Sequence, residues 1–186
     1  MSQWRGTTEP MTITRLTAAS HLPFGKRFDP QGKSMPTSAA HWPPPPLTAY
    51  PVELISLTTL EDVVQLYTSC GPQHLHVRGT VTPPVTRLGR ADVLDIPQRW
   101  VAVDYDGSED HTTSPQTLAG DAIAARQALP PSMRSRATLA VATGSAGMKP
   151  GTRLRLWQIW DEPVTCAQLH ALCTSHPHPA IDLGFF

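Results

Sequence analysis

The segment Arg99-Trp100-Val101-Ala102-Val103-Asp104-Tyr105-Asp106-Gly107 is an apolar run, rich in β-branched residues, that ends in two acids one residue apart. Because alternate side chains of a strand share a face, Asp104 and Asp106 point the same way, and Gly107 lets the chain turn. Neighbouring carboxylates are costly to ionise together, and an oxygen-preferring cation such as Mg²⁺ or Mn²⁺ removes that cost. An Asx turn with both acids in solvent accounts for the same pattern, so the segment alone leaves both interpretations open.

The segments on either side of this strand predict an α+β fold with a mainly antiparallel sheet and packed helices. Apolar residues at helical or alternating spacing predict the order strand, helix, strand, strand, helix, strand, strand, helix. Thr58 with Glu61, and Thr165 with Gln168, have the spacing of capping boxes, which mark the starts of two helices. The predicted strands are 52–56, 74–81, a strand that ends at Asp104, 137–142 and 152–160, and the predicted helices run from Thr58 to a stop at Gly71-Pro72, over 114–129 and over 165–173.

Length and composition indicate one domain preceded by an arm. The 186 residues suffice for a single domain with a core, although only 40% of them are apolar. Twenty prolines gather between the candidate elements, and the four consecutive ones at 43–46 favour a stiff polyproline II segment. We therefore predict a Pro-rich N-terminal arm at 1–50 and a globular domain at 51–186.

The charged residues balance over the whole chain but not locally. Fifteen basic and fifteen acidic residues cancel, so net charge does not by itself indicate a nucleic-acid partner. Residues 134–155 contain no acid and five basic residues: Arg134, Arg136, Lys149, Arg153 and Arg155. The three cysteines lack zinc-site spacing, and neither a signal peptide nor a membrane-length apolar run is seen. These features predict a cytoplasmic protein with reduced thiols and no membrane partner.

A glycine-rich loop follows the predicted strand 137–142: Thr143-Gly144-Ser145-Ala146-Gly147-Met148-Lys149-Pro150-Gly151. The backbone amides of such a turn form an anion-binding nest, and nearby lysine and arginine side chains hold phosphates. Asp161 closes the strand after the loop. Three acids with a phosphate cradle suit metal-dependent nucleotidyl transfer, in which one metal activates a hydroxyl and another holds the triphosphate. A plain hairpin turn with outward-facing arginines explains each feature taken separately.

Three segments, in their order along the chain, carry a resemblance to a known family. Residues 100–107, hydrophobic and followed by Asp-x-Asp, resemble the first motif of the archaeo-eukaryotic primase superfamily. Residues 142–151 are similar to the second motif, which begins Ser-x-His, and 155–161 to the third, in which hydrophobic residues end in an acid. His76-Val77-Arg78-Gly79 resembles the approach to the first motif in the primase–polymerase branch of phages, plasmids and integrated elements.

The resemblance covers roughly residues 12–186 and implies a catalytic domain at 51–186 with a sheet related to the RNA-recognition fold. It implies a DNA primase or DNA polymerase, a nucleotidyltransferase in the DNA replication of a mobile genetic element. The implied partners are nucleoside triphosphates, a single-stranded DNA template and a helicase domain or protein, and the implied cofactor is Mg²⁺ or Mn²⁺. The implied sites are Asp104, Asp106 and Asp161 for catalysis and metal binding, Ser145, Gly147, Lys149 and Arg155 for nucleotide binding, and Arg134, Arg136 and Arg153 for nucleic-acid binding.

Two departures from the family pattern affect this expectation. The second motif should have histidine at position 147, where this chain has Gly147, so triphosphate binding would rest on Ser145, the loop amides and the nearby cations. The chain also stops at Ile181-Asp182-Leu183-Gly184-Phe185-Phe186, where family domains usually continue. The sequence therefore predicts a catalytic domain that is truncated at its C-terminus.

Two other functions stay open at this point. His74-Leu75-His76 has the His-hydrophobic-His pattern of rolling-circle nickases, for which Tyr67 or Tyr105 would have to supply the nucleophile. We expect both histidines to lie outside the acidic cluster, as a half-exposed pair on a strand. Alternatively, the sheet is a non-catalytic module that binds nucleic acid or a replication partner, its catalysis lost with the missing histidine.

Overall fold

The computed structural model describes residues 11–17, 27–28, 34–35, 50–71, 74–81, 93–108 and 110–183, which form an α+β fold with antiparallel sheets. The strands are β1 Met11–Thr17, β2 Arg27–Phe28, β3 Ser34–Met35, β4 Val52–Leu57, β5 His74–Val77, β6 Thr80–Val81, β7 Val93–Leu94, β8 Gln98–Asp106, β9 Leu139–Ala142 and β10 Arg153–Val164. The helices are α1 Leu60–Ser69, α2 Leu118–Ala128, α3 Pro131–Arg134 and α4 Cys166–Ser175.

Two three-stranded sheets dominate the described part of the chain. The first has the order β4-β1-β5 and the second has the order β8-β10-β9, with antiparallel neighbours throughout. The short pairs β2-β3 and β6-β7 are separate. Because β1 is the central strand of the first sheet, with Ile13 and Leu16 fully buried, the predicted arm at 1–50 is wrong for Met11–Thr17. The proline run at 43–46 lies outside the described residues.

The predicted helix starts are confirmed in one case and shifted in the other. Thr165 caps α4 and forms a capping box with Gln168, as the spacing predicts. In α1 the cap is Thr59 and its partner is Asp62, one residue later than predicted. The Asp62 carboxylate accepts the backbone N–H groups of Thr58 at 2.6 Å and Thr59 at 2.8 Å, and these bonds lower its pKa despite a small opposing effect of burial. Aspartate therefore replaces glutamate as the reciprocal acceptor.

Two strands differ from prediction in ways that matter for the site. The predicted strand 74–81 divides at Gly79, whose φ of +105° turns the chain, so β5 joins the first sheet while β6 pairs with β7. The last strand of the second sheet does not end before Asp161, because β10 continues to Val164 through a shift of register beyond Ile159. Asp161 is therefore an interior residue of a strand.

The second helix and its proline stop also differ from prediction. The helix predicted over 114–129 begins at Leu118, since Ser114 to Thr117 form a turn that precedes it. Pro131 does not simply stop the chain; it begins α3, where its missing N–H costs nothing.

The strand β8 separates two apolar cores. Val101, Val103 and Tyr105 face a core completed by α2, α4 and part of β10. Trp100 and Ala102 face the other way, into a core shared with β1, β4 and α1. Alternation along one strand thus holds the helices on one side of the second sheet and the first sheet on the other. No helix in the described ranges is long and apolar enough to cross a bilayer.

Paired tryptophans join the two sheets. Trp100 of β8 stacks on Trp157 of β10 with ring centroids 5.0 Å apart, and its indole N–H donates to the carbonyl of Thr12 in β1 at 2.9 Å. Burial of large aromatic side chains contributes about 2–3 kcal/mol each. The stack and the hydrogen bond together determine which face of the first sheet packs against the second.

A close backbone approach ties the glycine-rich loop to the end of β8. The Gly107 N–H donates to the Thr152 carbonyl at 2.8 Å, and the Gly151 N–H donates to the His111 carbonyl at 2.7 Å. Gly151 has φ of +85°, and a Cβ there would lie 2.0 Å from the Gly107 oxygen. Only glycine fits at this crossing.

We predict that Gly151→Ala lowers the free energy of unfolding by about 2–4 kcal/mol, from backbone strain and the clash with Gly107. Gly144→Ala in the same loop is the matched control, because a Cβ there meets nothing within 4 Å, and it should change stability by less than about 1 kcal/mol. Urea unfolding followed by tryptophan fluorescence measures both. Equal effects would contradict the described loop geometry.

Candidate active site

Asp104 and Asp106 lie on one face of β8, as predicted. This face is the one that carries Trp100 and Ala102 into the core shared with the first sheet. Towards the end of the strand the apolar residues give way to the two acids, whose side chains are 16% and 49% exposed. The acids therefore line the edge of the space between the two sheets.

An arginine of β10 stands opposite each acid. The register pairs Arg155 with Asp104 and Arg153 with Asp106. The Arg155 guanidinium donates to both carboxylate oxygens of Asp104, at 2.7 and 2.9 Å, and Arg153 lies 3.4 Å from Asp106 Oδ2. Burial acts to lower the pKa of Arg155, but the hydrogen bonds and charge of Asp104 outweigh burial and raise that pKa above its usual value. Each acid is therefore neutralised by a cation from the neighbouring strand.

A third acid, which the sequence interpretation missed, stands across from Asp104. Tyr105 forms an antiparallel bridge with Ile181, and the flanking bonds run from Asp106 N–H to the Ala180 carbonyl at 2.7 Å and from Asp182 N–H to the Asp104 carbonyl at 3.0 Å. Asp182 is thus the cross-strand neighbour of Asp104. Ile181 packs with Tyr105 into the core formed with α2 and α4, the helix-side core. The register therefore places Asp182 beside Asp104 on the opposite face, which borders the space between the two sheets, here named the cleft. An acid between two apolar residues was the available signal.

Asp161 does not join the other acids, and the prediction of a three-acid cluster with Asp161 is wrong. Ile159 pairs with Trp100, whereas Arg155 pairs with Asp104, so Asp161 lies about 20 Å along the strand from the acids. Its carboxylate is 63% exposed and lies 3.9 Å from Arg136. The physical reason is strand direction: antiparallel strands that each end near an acid carry those acids to opposite edges of the sheet.

The predicted nucleic-acid-binding arginines also separate. Arg136 lies at the Asp161 end, with its guanidinium 4.7 Å from the centre of the Trp160 ring. Arg134 donates to the Leu129 carbonyl at 2.7 Å, where it caps the end of α2. Only Arg153 is brought to the acids. The basic residues between 134 and 155 therefore do not form one continuous patch.

The glycine-rich loop begins beside the acids but uses several of its amides internally. The Ala146 N–H donates to the Thr143 carbonyl at 2.9 Å, and the Met148 and Lys149 N–H groups donate to the Ser145 carbonyl at 3.1 Å. These three amides are not available to a phosphate while the turns persist. A Cβ at Gly147 would meet only the Thr113 carbonyl, at 3.7 Å. The loop is anchored near the acids because Arg153 also donates to the Pro150 carbonyl at 3.0 Å.

The first sheet supplies polar residues to the same space. Arg15 of β1 lies directly opposite His76 of β5 and opposite Glu53 of β4, with which it forms an ion pair. The Tyr67 hydroxyl of α1 accepts the Trp157 indole N–H at 3.2 Å and also bonds to Arg155. The sequence did not connect Arg15 or Tyr67 with the acids, because β1 and α1 are far from β8 and β10 along the chain.

His76 is half-buried on β5, directly opposite Arg15, and the charges that act on it come from Arg15, His74 and Arg155 rather than from the acids. Burial, and then the charges of Arg15, His74 and Arg155, lower the pKa of His76 from 6.5 to about 4. Its Nδ1 lies 3.9 Å from Cys70 Sγ. Its Nε2 is buried and has no hydrogen-bond partner in the described part of the chain.

The candidate nickase tyrosines occupy different places. Tyr105 is 5% exposed and packs into the helix-side core, on the face of β8 opposite the acids. Tyr67 lies on the cleft side, where its hydroxyl is engaged by Trp157. His74 accepts the Gly71 N–H on its Nδ1 at 3.1 Å.

Carboxylate oxygens that could bind a divalent cation are present, but they are not arranged as a metal site. Among the described residues, no three His, Cys, Asp or Glu side chains already stand together as a metal site. Asp104, Asp106 and Asp182 nevertheless share one end of the sheet, and carboxylates are the ligands that Mg²⁺ and Mn²⁺ prefer. Carboxylates therefore suit such an ion, but Arg155 and Arg153 would first have to release Asp104 and Asp106.

Comparison of the chain with protein-family models, with curated proteins and with solved structures finds no match. The chemistry of the site must therefore be argued from its own residues.

We predict that His76 destabilises the folded chain in acid. The folded chain keeps this ring neutral down to about pH 4, whereas the unfolded chain binds a proton below about pH 6.5, so stability falls as the pH drops between these values. Because the ring is only partly buried, we expect wild type to lose about 1 kcal/mol more stability than His76→Gln between pH 7 and pH 5. Urea unfolding at both pH values measures this difference, and His170→Gln on exposed α4 should behave like wild type.

Proposed function

We propose that the chain is a template-directed nucleotidyltransferase of the DNA primase–polymerase type, with Asp104, Asp106 and Asp182 as its metal-binding acids. The observation that carries the proposal is the acid pair on one face at the end of β8, next to Asp182 and opposite two arginines. The motif resemblance, with its order along the chain, supports the same reaction. Asp182 takes the place that the sequence interpretation gave to Asp161.

In the proposed reaction, the acids of the cleft would bind the metal and the arginines would bind the phosphates. When bound, Mg²⁺ or Mn²⁺ would lower the pKa of the attacking hydroxyl and offset the charge of the triphosphate. Asp104, Asp106 and Asp182 would hold the metal ion at the edge of the sheet. Arg153 and Arg155 bind phosphate oxygens, for which the guanidinium fork is well suited.

In this site, a metal ion can bind the acids only if the arginines release them. A guanidinium that donates to both oxygens of Asp104 competes directly with a cation for that carboxylate. A triphosphate offers Arg155 another anion, so binding of metal and of nucleotide should favour each other. We infer that Arg155 and Arg153 balance the charges of Asp104 and Asp106 until metal and nucleotide bind.

Several further assignments belong to the same proposal. A single-stranded DNA template, a helicase domain or protein as partner, and action on a mobile element's DNA follow from the motif resemblance. Action in the cytoplasm is inferred instead from the cysteine spacing and from the lack of a signal peptide or membrane-length apolar run in the sequence. The second sheet would then be the RNA-recognition-like catalytic sheet, with its helices on one face and its acids on the other.

A non-catalytic nucleic-acid-binding module is the second candidate. Two observations favour it: both acids are already paired with arginines, and Gly147 stands where the second motif has histidine. In this case Asp104 and Arg155 act as a cross-strand pair that stabilises β8 against β10.

We predict that Asp106→Asn and Asp182→Asn each reduce nucleotide incorporation on a primed single-stranded DNA template by at least about 100-fold, since each removes a charge worth several kcal/mol to metal-dependent transfer. Asp161→Asn is the matched control and should keep wild-type incorporation. Labelled nucleotides with Mn²⁺ or Mg²⁺ provide the measurement, and thermal unfolding checks that each variant folds.

Different outcomes separate the candidates. If wild type binds single-stranded DNA but incorporates no nucleotide with either metal, the module stands and the enzyme fails. If Asp161→Asn is as inactive as Asp106→Asn, the assignment of Asp182 as the third acid is wrong.

We also predict that Arg155→Gln raises the affinity for Mn²⁺ alone by about tenfold, or 1.4 kcal/mol, because Asp104 loses its competing cation. The double variant Asp104→Asn/Arg155→Gln should lose this gain. Free Mn²⁺ measured by electron paramagnetic resonance gives the affinity without any activity assay, and Arg134→Gln in helix α3 controls for net charge. An unchanged affinity in Arg155→Gln would refute the exchange.

A further inference from the structure

We propose that His76, with Arg155 and Arg15, forms a phosphate-binding site on the first sheet, and that this site takes the phosphate tail of the nucleoside triphosphate. The identity of the ligand rests on the proposed function. The site itself rests on an unsatisfied buried donor among cations. No part of the motif resemblance assigns a role to this histidine in phosphate binding.

The register of the first sheet places Arg15 and His76 on the side that faces the second sheet. Arg15 and His76 are direct cross-strand partners, so their side chains share a face. Met11 and Ile13 alternate with Arg15 along β1 onto this same face and pack into the core that also contains Trp100 and Trp157. The polar end of this face therefore opens beside the acids and arginines of the second sheet.

One ring nitrogen of His76 lacks a hydrogen-bond partner among the described residues. Its Nε2 is buried without a hydrogen bond among the described residues, and an unsatisfied buried polar group costs about 1–3 kcal/mol. The other ring nitrogen faces the Cys70 sulfur at 3.9 Å. When the proton of the neutral ring is on Nε2, this atom is a donor that needs an oxygen acceptor.

The charges around the ring select an anion. The groups that act on His76 are Arg15 on β1, His74 on its own strand, Arg155 on β10 and the Cys70 thiol after α1. None of them carries negative charge at neutral pH, and the acids that pair with the two arginines are Glu53 for Arg15 and Asp104 for Arg155. An incoming anion thus meets an excess of donors.

A polyphosphate fits this arrangement better than a single carboxylate does. It has enough oxygens to accept from His76 Nε2 and from the Arg155 fork at once. Its several charges can draw Arg155 away from Asp104, which the exchange in the proposed reaction requires. His76 would then replace part of the phosphate contact that Gly147 cannot provide.

The test is calorimetric titration of the full chain with sodium tripolyphosphate at neutral pH without metal. His76→Phe removes the donor and should weaken binding about tenfold, while His76→Gln keeps an N–H donor and should stay within about threefold of wild type. His170→Phe, a matched change on an exposed histidine of α4, should bind like wild type. Binding by His76→Phe that equals wild type, or no binding by wild type, would overturn the proposal.

Two further measurements keep the result interpretable. Because His76→Phe removes an unsatisfied polar atom, its free energy of unfolding should not fall below that of wild type, which separates lost binding from lost folding. If that variant does not fold, the histidine ¹⁵N resonances of wild type decide: tripolyphosphate should shift those of His76, and an unchanged His76 would refute the site.

The outcome is independent of the polymerase assay. Tripolyphosphate binding through His76 without nucleotide incorporation would keep the phosphate site and reject the proposed reaction. Incorporation that is insensitive to His76→Phe, with unchanged tripolyphosphate binding, would reject the site and keep the reaction.

Discussion

The stack of Trp100 on Trp157 is the contact on which the arrangement of the candidate site depends. It sits in the core shared by both sheets, and the bond from Trp100 to the Thr12 carbonyl ties that core to the central strand β1. Because side chains alternate along each strand, fixing this one face fixes the facing of every later residue. The acids of β8 and the Arg15–His76 pair therefore look into the same space without any direct bond between them.

The charges in that space are largely paired across neighbouring strands. Asp104 and Asp106 are each matched by an arginine of β10, and Asp182 beside them adds a third negative charge. The first sheet adds Arg15, which is paired with Glu53, and His76, whose lowered pKa keeps the ring neutral near pH 7. In the proposed reaction, such a site would favour the joint binding of a cation and a polyanion over the binding of either alone.

The two ends of the second sheet carry different chemistry. At one end the acids, their arginines and the glycine-rich loop gather, and the Gly107–Gly151 crossing holds the loop there. At the other end Arg136 stacks on Trp160 and Asp161 stays largely in solvent. Residues that seem to form one functional set in the sequence are thus divided between a candidate reaction centre and a structural cluster about 20 Å away.

Local sequence pattern is sufficient to predict the α+β class, the capping box of Thr165 and Gln168, and the shared face of Asp104 and Asp106. Each of these depends on residues a few positions apart, whose relative directions follow from the geometry of one helix or one strand. Contacts between distant segments were needed to find that Asp182 and not Asp161 accompanies the pair, that Met11–Thr17 is a central strand, and that His76 lies opposite Arg15. These outcomes depend on strand direction and on register between distant segments, because antiparallel pairing of β8 with β10 carries their ends to opposite edges and no local periodicity encodes that pairing.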